Sequence, residues 1–125
     1  MLEFLFVGVG GFIGSCARYG LNLLTARINF PMGTLLSNVI AGLFIGFIIG
    51  MENQNFAISP RVRLFLTTGL MGGLSTFSTF SLETIQLFQK GQYLLGAGNV
   101  ALNLFLSLAG VLLGMLAAKL VHTAR

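Results

Sequence analysis

The sequence predicts an all-α membrane protein with four transmembrane helices, and three features of its composition and pattern predict this fold class. Of the 125 residues, 55% are hydrophobic and only 8% are charged, whereas about a quarter of a soluble domain is charged. The mean hydropathy is +0.91. Four apolar segments approach or exceed the roughly 20 residues needed to cross a bilayer. The length predicts one domain, residues 1–125.

The predicted spans are separated by short connections with helix-start signals. Pro31 precedes the second span, and Ser59-Pro60 combines an N-cap residue with proline at the first helical position, which opens the third. Lys90-Gly91 predicts the turn before the fourth. The spans cover about residues 4–26, 33–51, 62–88 and 94–119.

Basic residues are divided almost evenly between the two sides of the membrane. With four spans, both termini and the 52–61 loop share one side. That side carries Arg61, Arg63, Lys119 and Arg125, and the other carries Arg27, Lys90 and, if it reaches so far, Arg18. This is a weak positive-inside bias. Either orientation is open, and a chain that inserts both ways would assemble as an antiparallel pair.

The sequence lacks the residues that several kinds of binding site and reaction require. Cys16 is the only cysteine, which excludes an internal disulfide and a cysteine metal cluster. The only histidine, His122, lies in the C-terminal tail. The basic residues do not cluster, so no nucleic-acid partner is predicted. No nucleophile–base pair or cofactor fingerprint appears, and we do not expect an enzyme.

Glycines recur four residues apart in three of the spans. In lipid such small residues let helix backbones approach closely. The spacing predicts a tight bundle and an oligomer. The residues concerned are Gly10 with Gly14, Gly42 with Gly46 and Gly50, and Gly110 with Gly114.

The third span contains the most polar pattern, GLMGGLSTFSTFSLET at residues 69–84. Gly72-Gly73 weakens the helix there, and we expect a break near this pair. Broken helices at membrane depth occur where the freed backbone is buried in protein or faces water or an ion. The alternative is a flexible kink whose hydroxyls bond to the preceding turn. Six hydroxyl residues follow in ten positions: Ser75, Thr76, Ser78, Thr79, Ser81 and Thr84.

Two phenylalanines within this pattern favour an anion path. Phe77 and Phe80 are three residues apart and share a helix face, beside Ser78 and Ser81. Aromatic edges are electropositive, so ring edges beside hydroxyl donors can coordinate a small anion without a cation. Weak sites in series also let the anion leave. The alternative is that these rings only fill space in the bundle.

Further polar residues lie in the second and fourth spans. Asn38 is the one amide within the second span. Asn99, Asn103 and Ser107 lie on the fourth, and the last two, four residues apart, face the same way. Each residue either joins the same path or makes an ordinary hydrogen bond between helices.

Two charged residues within the predicted spans also have two interpretations each. Arg18 either snorkels to the interface or draws anions into a vestibule. Glu83 is either a functional intramembrane acid or lies near enough to the interface to be solvated.

Three segments resemble the bacterial fluoride channels, the Fluc (CrcB) family. These are GGFIGSCARY at 10–19, GTLLSN at 33–38 and, most specifically, GLMGGLSTFSTFS at 69–81. The four-span layout and the length also match, so the resemblance covers essentially the whole chain. It implies a passive, selective fluoride channel in the bacterial inner (plasma) membrane that lowers cytoplasmic fluoride.

The resemblance also implies an assembly and a set of site residues. Such channels are antiparallel, dual-topology homodimers with two pores and a structural sodium ion on the two-fold axis. By the motif, its ligands are the backbone carbonyls of Gly72 and Ser75. The matching pore residues are Phe77, Phe80 and Asn38, with Ser78, Ser81 and Ser107 as pore hydroxyls, and the arginine of the first motif is Arg18. Val111 replaces a hydroxyl found in some relatives, which leaves the outer polar track open.

Two other kinds of membrane protein compete with this interpretation. A small multidrug exporter can share the four-span, dual-topology layout, but it needs a buried acid in the first span, where only Glu3 is present, at the very end. A non-transporting assembly subunit would be held by packing motifs without a hydroxyl-rich broken helix. The third span therefore favours a channel over both.

Overall fold

The computed structural model describes all 125 residues and contains helices and their connections only, which confirms the all-α class. Three helices, α1 (Leu2–Leu24), α2 (Met32–Asn53) and α6 (Tyr93–Thr123), are long and apolar enough to cross a membrane. Between α2 and α6 an interrupted series of helices replaces the predicted third span. The helices are α1 (Leu2–Leu24), α2 (Met32–Asn53), α3 (Pro60–Leu64), a π-helical segment (Phe65–Met71), α4 (Gly72–Leu74), α5 (Phe77–Gln89) and α6 (Tyr93–Thr123).

Two connections show why the chain turns where it does. The Ser59 hydroxyl accepts a hydrogen bond from the Val62 N–H at 3.3 Å, with Pro60 at the first helical position of α3. This is the capped start that the sequence predicts. Gly91, between α5 and α6, has φ +76°, a left-handed conformation that glycine adopts without steric cost.

Glycines bring backbones together at two helix pairs. A Cβ atom on Gly42 of α2 would lie 2.9 Å from the Ser107 carbonyl oxygen of α6. A Cβ on Gly10 of α1 would lie 2.5 Å from the Phe65 carbonyl oxygen of the π-helical segment. No side chain fits at either point, so the small-residue spacing produces close backbone contact, as expected in lipid.

The break in the third segment lies two residues beyond the predicted glycine pair. Gly72 and Gly73 are helical, and the chain becomes extended at Ser75 (φ −77°, ψ 153°) and Thr76 (φ −155°, ψ 126°). A Cβ on Gly73 would lie 2.6 Å from the Gly11 carbonyl oxygen. Gly73 therefore serves close packing against α1, and the break expected near Gly72-Gly73 lies at Ser75-Thr76.

The exterior of the protein is apolar and the interior is partly polar, the reverse of a soluble domain. Large hydrophobic side chains are exposed along the helices, among them Phe4, Phe12, Leu94 and Leu112. The buried side chains include five polar ones: Thr34, Ser37, Thr84, Asn99 and Asn103. This distribution suits a chain surrounded by lipid, and it places the polar chemistry between the helices.

Candidate functional site

The extended backbone at the break is paired with one side chain from α2. Asn38 Oδ1 accepts a hydrogen bond from the Thr76 N–H at 2.8 Å. Asn38 Nδ2 donates to the Thr76 carbonyl oxygen at 3.2 Å. The amide thus meets both polar groups of the residue at which the helix is interrupted, where an unpaired backbone group in hydrocarbon costs several kcal/mol.

The break also frees backbone carbonyls from their usual donors, among them those of Gly72 and Ser75. In a continuous α-helix the Thr76 N–H would donate to the Gly72 carbonyl, and the Thr79 N–H to the Ser75 carbonyl. Here the Thr76 N–H donates to Asn38, and the Thr79 N–H donates to the Thr76 hydroxyl at 3.2 Å. The Gly72 and Ser75 carbonyl oxygens are therefore open to another ligand.

Arg18 acts on a third carbonyl at the same break. Its Nε donates to the Gly73 carbonyl oxygen at 3.2 Å. Phe77 would supply the helical donor to that carbonyl if α4 continued. The side chain is partly buried and lines neither the groove beside Asn38 nor the cavity beside Glu83. The sequence analysis did not consider this role of Arg18, which is to donate a hydrogen bond to a carbonyl that has lost its helical donor.

Three asparagines and one threonine form a continuous hydrogen-bonded series from the break into α6 and α5. Asn38 Nδ2 donates to Asn103 Oδ1 at 2.9 Å. Asn103 Nδ2 donates to the carbonyl oxygen and to Oδ1 of Asn99, both at 2.9 Å. Asn99 Nδ2 donates to Thr84 Oγ1 at 2.9 Å, and the Thr84 hydroxyl donates to the Phe80 carbonyl oxygen at 2.8 Å. We call Asn38, Asn103, Asn99 and Thr84 the amide relay.

A groove of about 640 Å³ runs beside this relay between α2, α5 and α6. Phe77 and Phe80 line it, with ring centroids 5.6 Å apart and an interplanar angle of 53°. Ser107 also lines it, and its hydroxyl is buried without a hydrogen-bond partner. No charged side chain lines the groove, which is formed by Asn38, Ala41, Gly42, Ser75, Thr76, Phe77, Phe80, Val100, Asn103, Leu104, Ser107, Leu108 and Val111.

The structure therefore brings together four of the predicted pore residues, Asn38, Phe77, Phe80 and Ser107, and leaves two outside the groove. The Ser81 hydroxyl donates to the Phe77 carbonyl oxygen of its own helix at 2.9 Å. The exposed Ser78 has its hydroxyl 3.5 Å from that of Thr76. Both serines are thus engaged locally at the start of α5.

A second, polar cavity of about 410 Å³ lies where the connection between α1 and α2 meets the end of α5. Glu83 and Lys90 both line it. The Glu83 carboxylate accepts a hydrogen bond from the hydroxyl of Thr34, which is fully buried on α2. Thr34 was missed in the sequence analysis, although its position one turn before Asn38 places the two polar groups on one helix face.

Apolar helices around a polar interior, with one interrupted helix, define a multi-pass membrane protein, and sequence comparison gives its family. Residues 5–115 match the family described as "CrcB-like protein, Camphor Resistance (CrcB)". The chain belongs to this family, as its resemblance to the Fluc (CrcB) proteins predicts.

Relatives are similar along almost the whole chain. A protein of Clostridium novyi named "Fluoride-specific ion channel FluC" is 49% identical over 121 residues, which cover 94% of each chain. Proteins with the same name are 43% identical in Elusimicrobium minutum, over 95% of each chain, and 44% identical in Pyrococcus abyssi, over 89% of this chain and 91% of the relative.

Removing the Asn38 amide is expected to destabilise the protein, because it leaves the Thr76 N–H without its hydrogen-bond partner. Asn38→Leu should lower the free energy of unfolding by about 1–3 kcal/mol, measured by thermal or denaturant unfolding in detergent. Ser107→Ala is the matched control. Its hydroxyl has no partner, so the change should stay within about 0.5 kcal/mol. Equal losses in both variants would contradict the pairing of Asn38 with the break.

Proposed function

We propose that this protein is a fluoride-specific channel that passes fluoride down its gradient across the bacterial inner membrane and so lowers cytoplasmic fluoride. Two observations support this proposal. Relatives over nearly the whole chain bear that name. The observation that carries the proposal is the uncharged groove in which Phe77, Phe80 and the unpaired Ser107 hydroxyl meet.

The chemistry of the groove suits a small, strongly hydrated anion. Ring edges present positive potential without a fixed ion, and the Ser107 hydroxyl is a donor with no competing acceptor. Both N–H bonds of Asn38 are already used, one toward Thr76 and one toward Asn103. Asn38 would therefore bind fluoride only by sharing one of these donors. A path of weak partners allows the ion to leave, whereas a fixed cation would retain it.

We further propose that two copies assemble antiparallel, each completing a pore. The groove lies open on one side of the chain, and 79% of Phe77 is exposed. An aromatic pore residue needs a second wall to exclude lipid and water, and another copy supplies one. Two grooves per dimer give two pores. The nearly balanced distribution of basic residues is compatible with insertion in both orientations.

The interrupted helix also fits a structural sodium ion. Backbone oxygens would bind this ion, and it would not be transported. Its proposed ligands are the carbonyls of Gly72 and Ser75, the two groups whose helical donors are diverted to Asn38 and Thr76. No carboxylate lies in this set, so a monovalent cation is favoured over a divalent one. Two antiparallel copies would contribute both carbonyls twice.

The structure disfavours the exporter alternative. Glu3 is the only acid in α1, and it lies in the first turn with its side chain 53% exposed. Its carboxylate is 3.3 Å from the N-terminal ammonium and 3.9 Å from Arg61 Nε. An acid at the helix end, beside two cations, is not the buried carboxylate that proton-coupled export requires.

Purified protein in liposomes should release fluoride rapidly, and chloride far more slowly, when a potassium ionophore balances charge. Phe77→Ile and Phe80→Ile keep apolar bulk but remove the electropositive ring edge, and each should slow fluoride efflux at least about tenfold. Phe4→Ile, at the exposed start of α1, is the control and should leave the rate unchanged. Equal efflux of both halides refutes the function, while full rates in both groove variants refute the role of the rings.

Sodium removal should lower both the thermal stability and the fluoride efflux of the protein. The reason is that the freed carbonyls of Gly72 and Ser75 would then face one another without a cation. The measurement compares protein prepared in sodium with protein exchanged into N-methylglucamine, followed by sodium or magnesium addition. Sodium should restore both properties and magnesium should not. Unchanged stability and rate after exhaustive sodium removal would rule out the site.

Dual topology should be visible with a C-terminal reporter, which we expect on both sides of the membrane in one cell population. Ile28→Lys with Asn29→Lys adds two positive charges to the connection between α1 and α2 and should bias insertion toward one orientation. Ile28→Gln with Asn29→Gln is the uncharged control and should leave both orientations populated. A single orientation in the unmodified protein would contradict the proposal.

A further inference from the structure

We infer that Asn99 and Thr84 are positioning residues, which hold Phe77 and Phe80 at the groove although they do not line it themselves. The inference rests on the proposed function, because the placement of the rings affects transport only if the groove conducts. Both residues belong to the amide relay and are almost completely buried, with 0% of Asn99 and 6% of Thr84 exposed.

The direction of every hydrogen bond in the relay is determined at its ends by backbone groups. A backbone N–H can only donate, so the Thr76 N–H requires the oxygen of Asn38. The nitrogen of Asn38 then faces Asn103, which must present its own oxygen. A backbone carbonyl can only accept, so the Asn99 carbonyl requires the nitrogen of Asn103. The amides therefore have one consistent arrangement.

The far end of the relay is fixed in the same way. The Phe80 carbonyl accepts the Thr84 hydroxyl proton, which leaves the Thr84 oxygen to accept from Asn99. The relay thus starts at the Thr76 backbone, one residue before α5, and ends at the Phe80 backbone within it. The turn that carries both phenylalanines lies between these two attachments.

This attachment matters because α5 has few others. Of its thirteen residues only Thr84 and Leu87 are buried, and its other side-chain hydrogen bond to a buried group joins Glu83, beyond the aromatic turn, to Thr34 of α2. Within one chain few side chains surround Phe77, since 79% of it is exposed. Asn99 connects this turn to α6, and through Asn103 to the residue that pairs with the break.

The test compares Thr84→Val, which keeps the shape of the side chain but removes the hydroxyl, with Thr84→Ser, which keeps the hydroxyl. Thr84→Val should slow fluoride efflux per folded protein about tenfold, and Thr84→Ser should stay near the unmodified rate. Asn99→Leu should slow efflux similarly, and combining it with Thr84→Val should add little, because both interrupt one series. Thr67→Val, which removes a hydroxyl that donates to the Arg63 carbonyl four residues earlier, should have no effect.

A second measurement does not depend on transport. Hydrogen exchange of the amides of residues 77–84 in purified protein should be faster in Thr84→Val than in Thr84→Ser. Fluoride passage by the unmodified protein is measured first, so that its absence overturns the proposed function while the exchange comparison still tests the relay. Equal exchange in the two variants, or an equal loss of efflux in both, overturns the positioning role.

Discussion

The pairing of the Asn38 amide with the backbone of Thr76 is the interaction on which the other polar features depend. It satisfies the interrupted helix from a neighbouring helix, so the chain stays extended at membrane depth without exposing its polar groups to lipid. The same pairing diverts the donor from Gly72, directs the remaining N–H of Asn38 toward Asn103 and starts α5 at Phe77. An open carbonyl, an ordered amide series and an aromatic turn all follow from one side chain.

The helical architecture could be predicted from the sequence because its signals are local. Apolar length identifies α1, α2 and α6, and a serine–proline pair identifies the start of α3. The exact break could not be predicted, because glycine serves both helix interruption and close packing. Only the approach of α1 shows that Gly73 serves packing. The π-helical segment Phe65–Met71 has no comparable signal, since its ladder differs from an α-helix only in its hydrogen-bond partners.

The candidate site was predictable in its residue types but not in its connections. Hydroxyl density and the spacing of Phe77 and Phe80 predicted a site on the third span, and the structure places both rings in one groove with Asn38 of α2. The pattern could not decide which hydroxyls face the groove, because a serine within a helix can instead donate to a carbonyl of the preceding turn, as Ser81 does. Nor could it show that Arg18 reaches Gly73, a contact between residues 55 positions apart in sequence.

The glycine contact between α2 and α6 has a consequence for how this protein tolerates sequence change. The main chain of Ser107 lies directly against Gly42. Contact between backbone atoms, rather than side-chain volume, therefore sets the position of α6 along α2. Exchanges among the exposed apolar residues therefore do not shift Asn38 relative to Asn103 along the helix axes. The lipid-facing surface is free to diverge and to adapt to membranes of different composition, while the polar interior keeps its alignment.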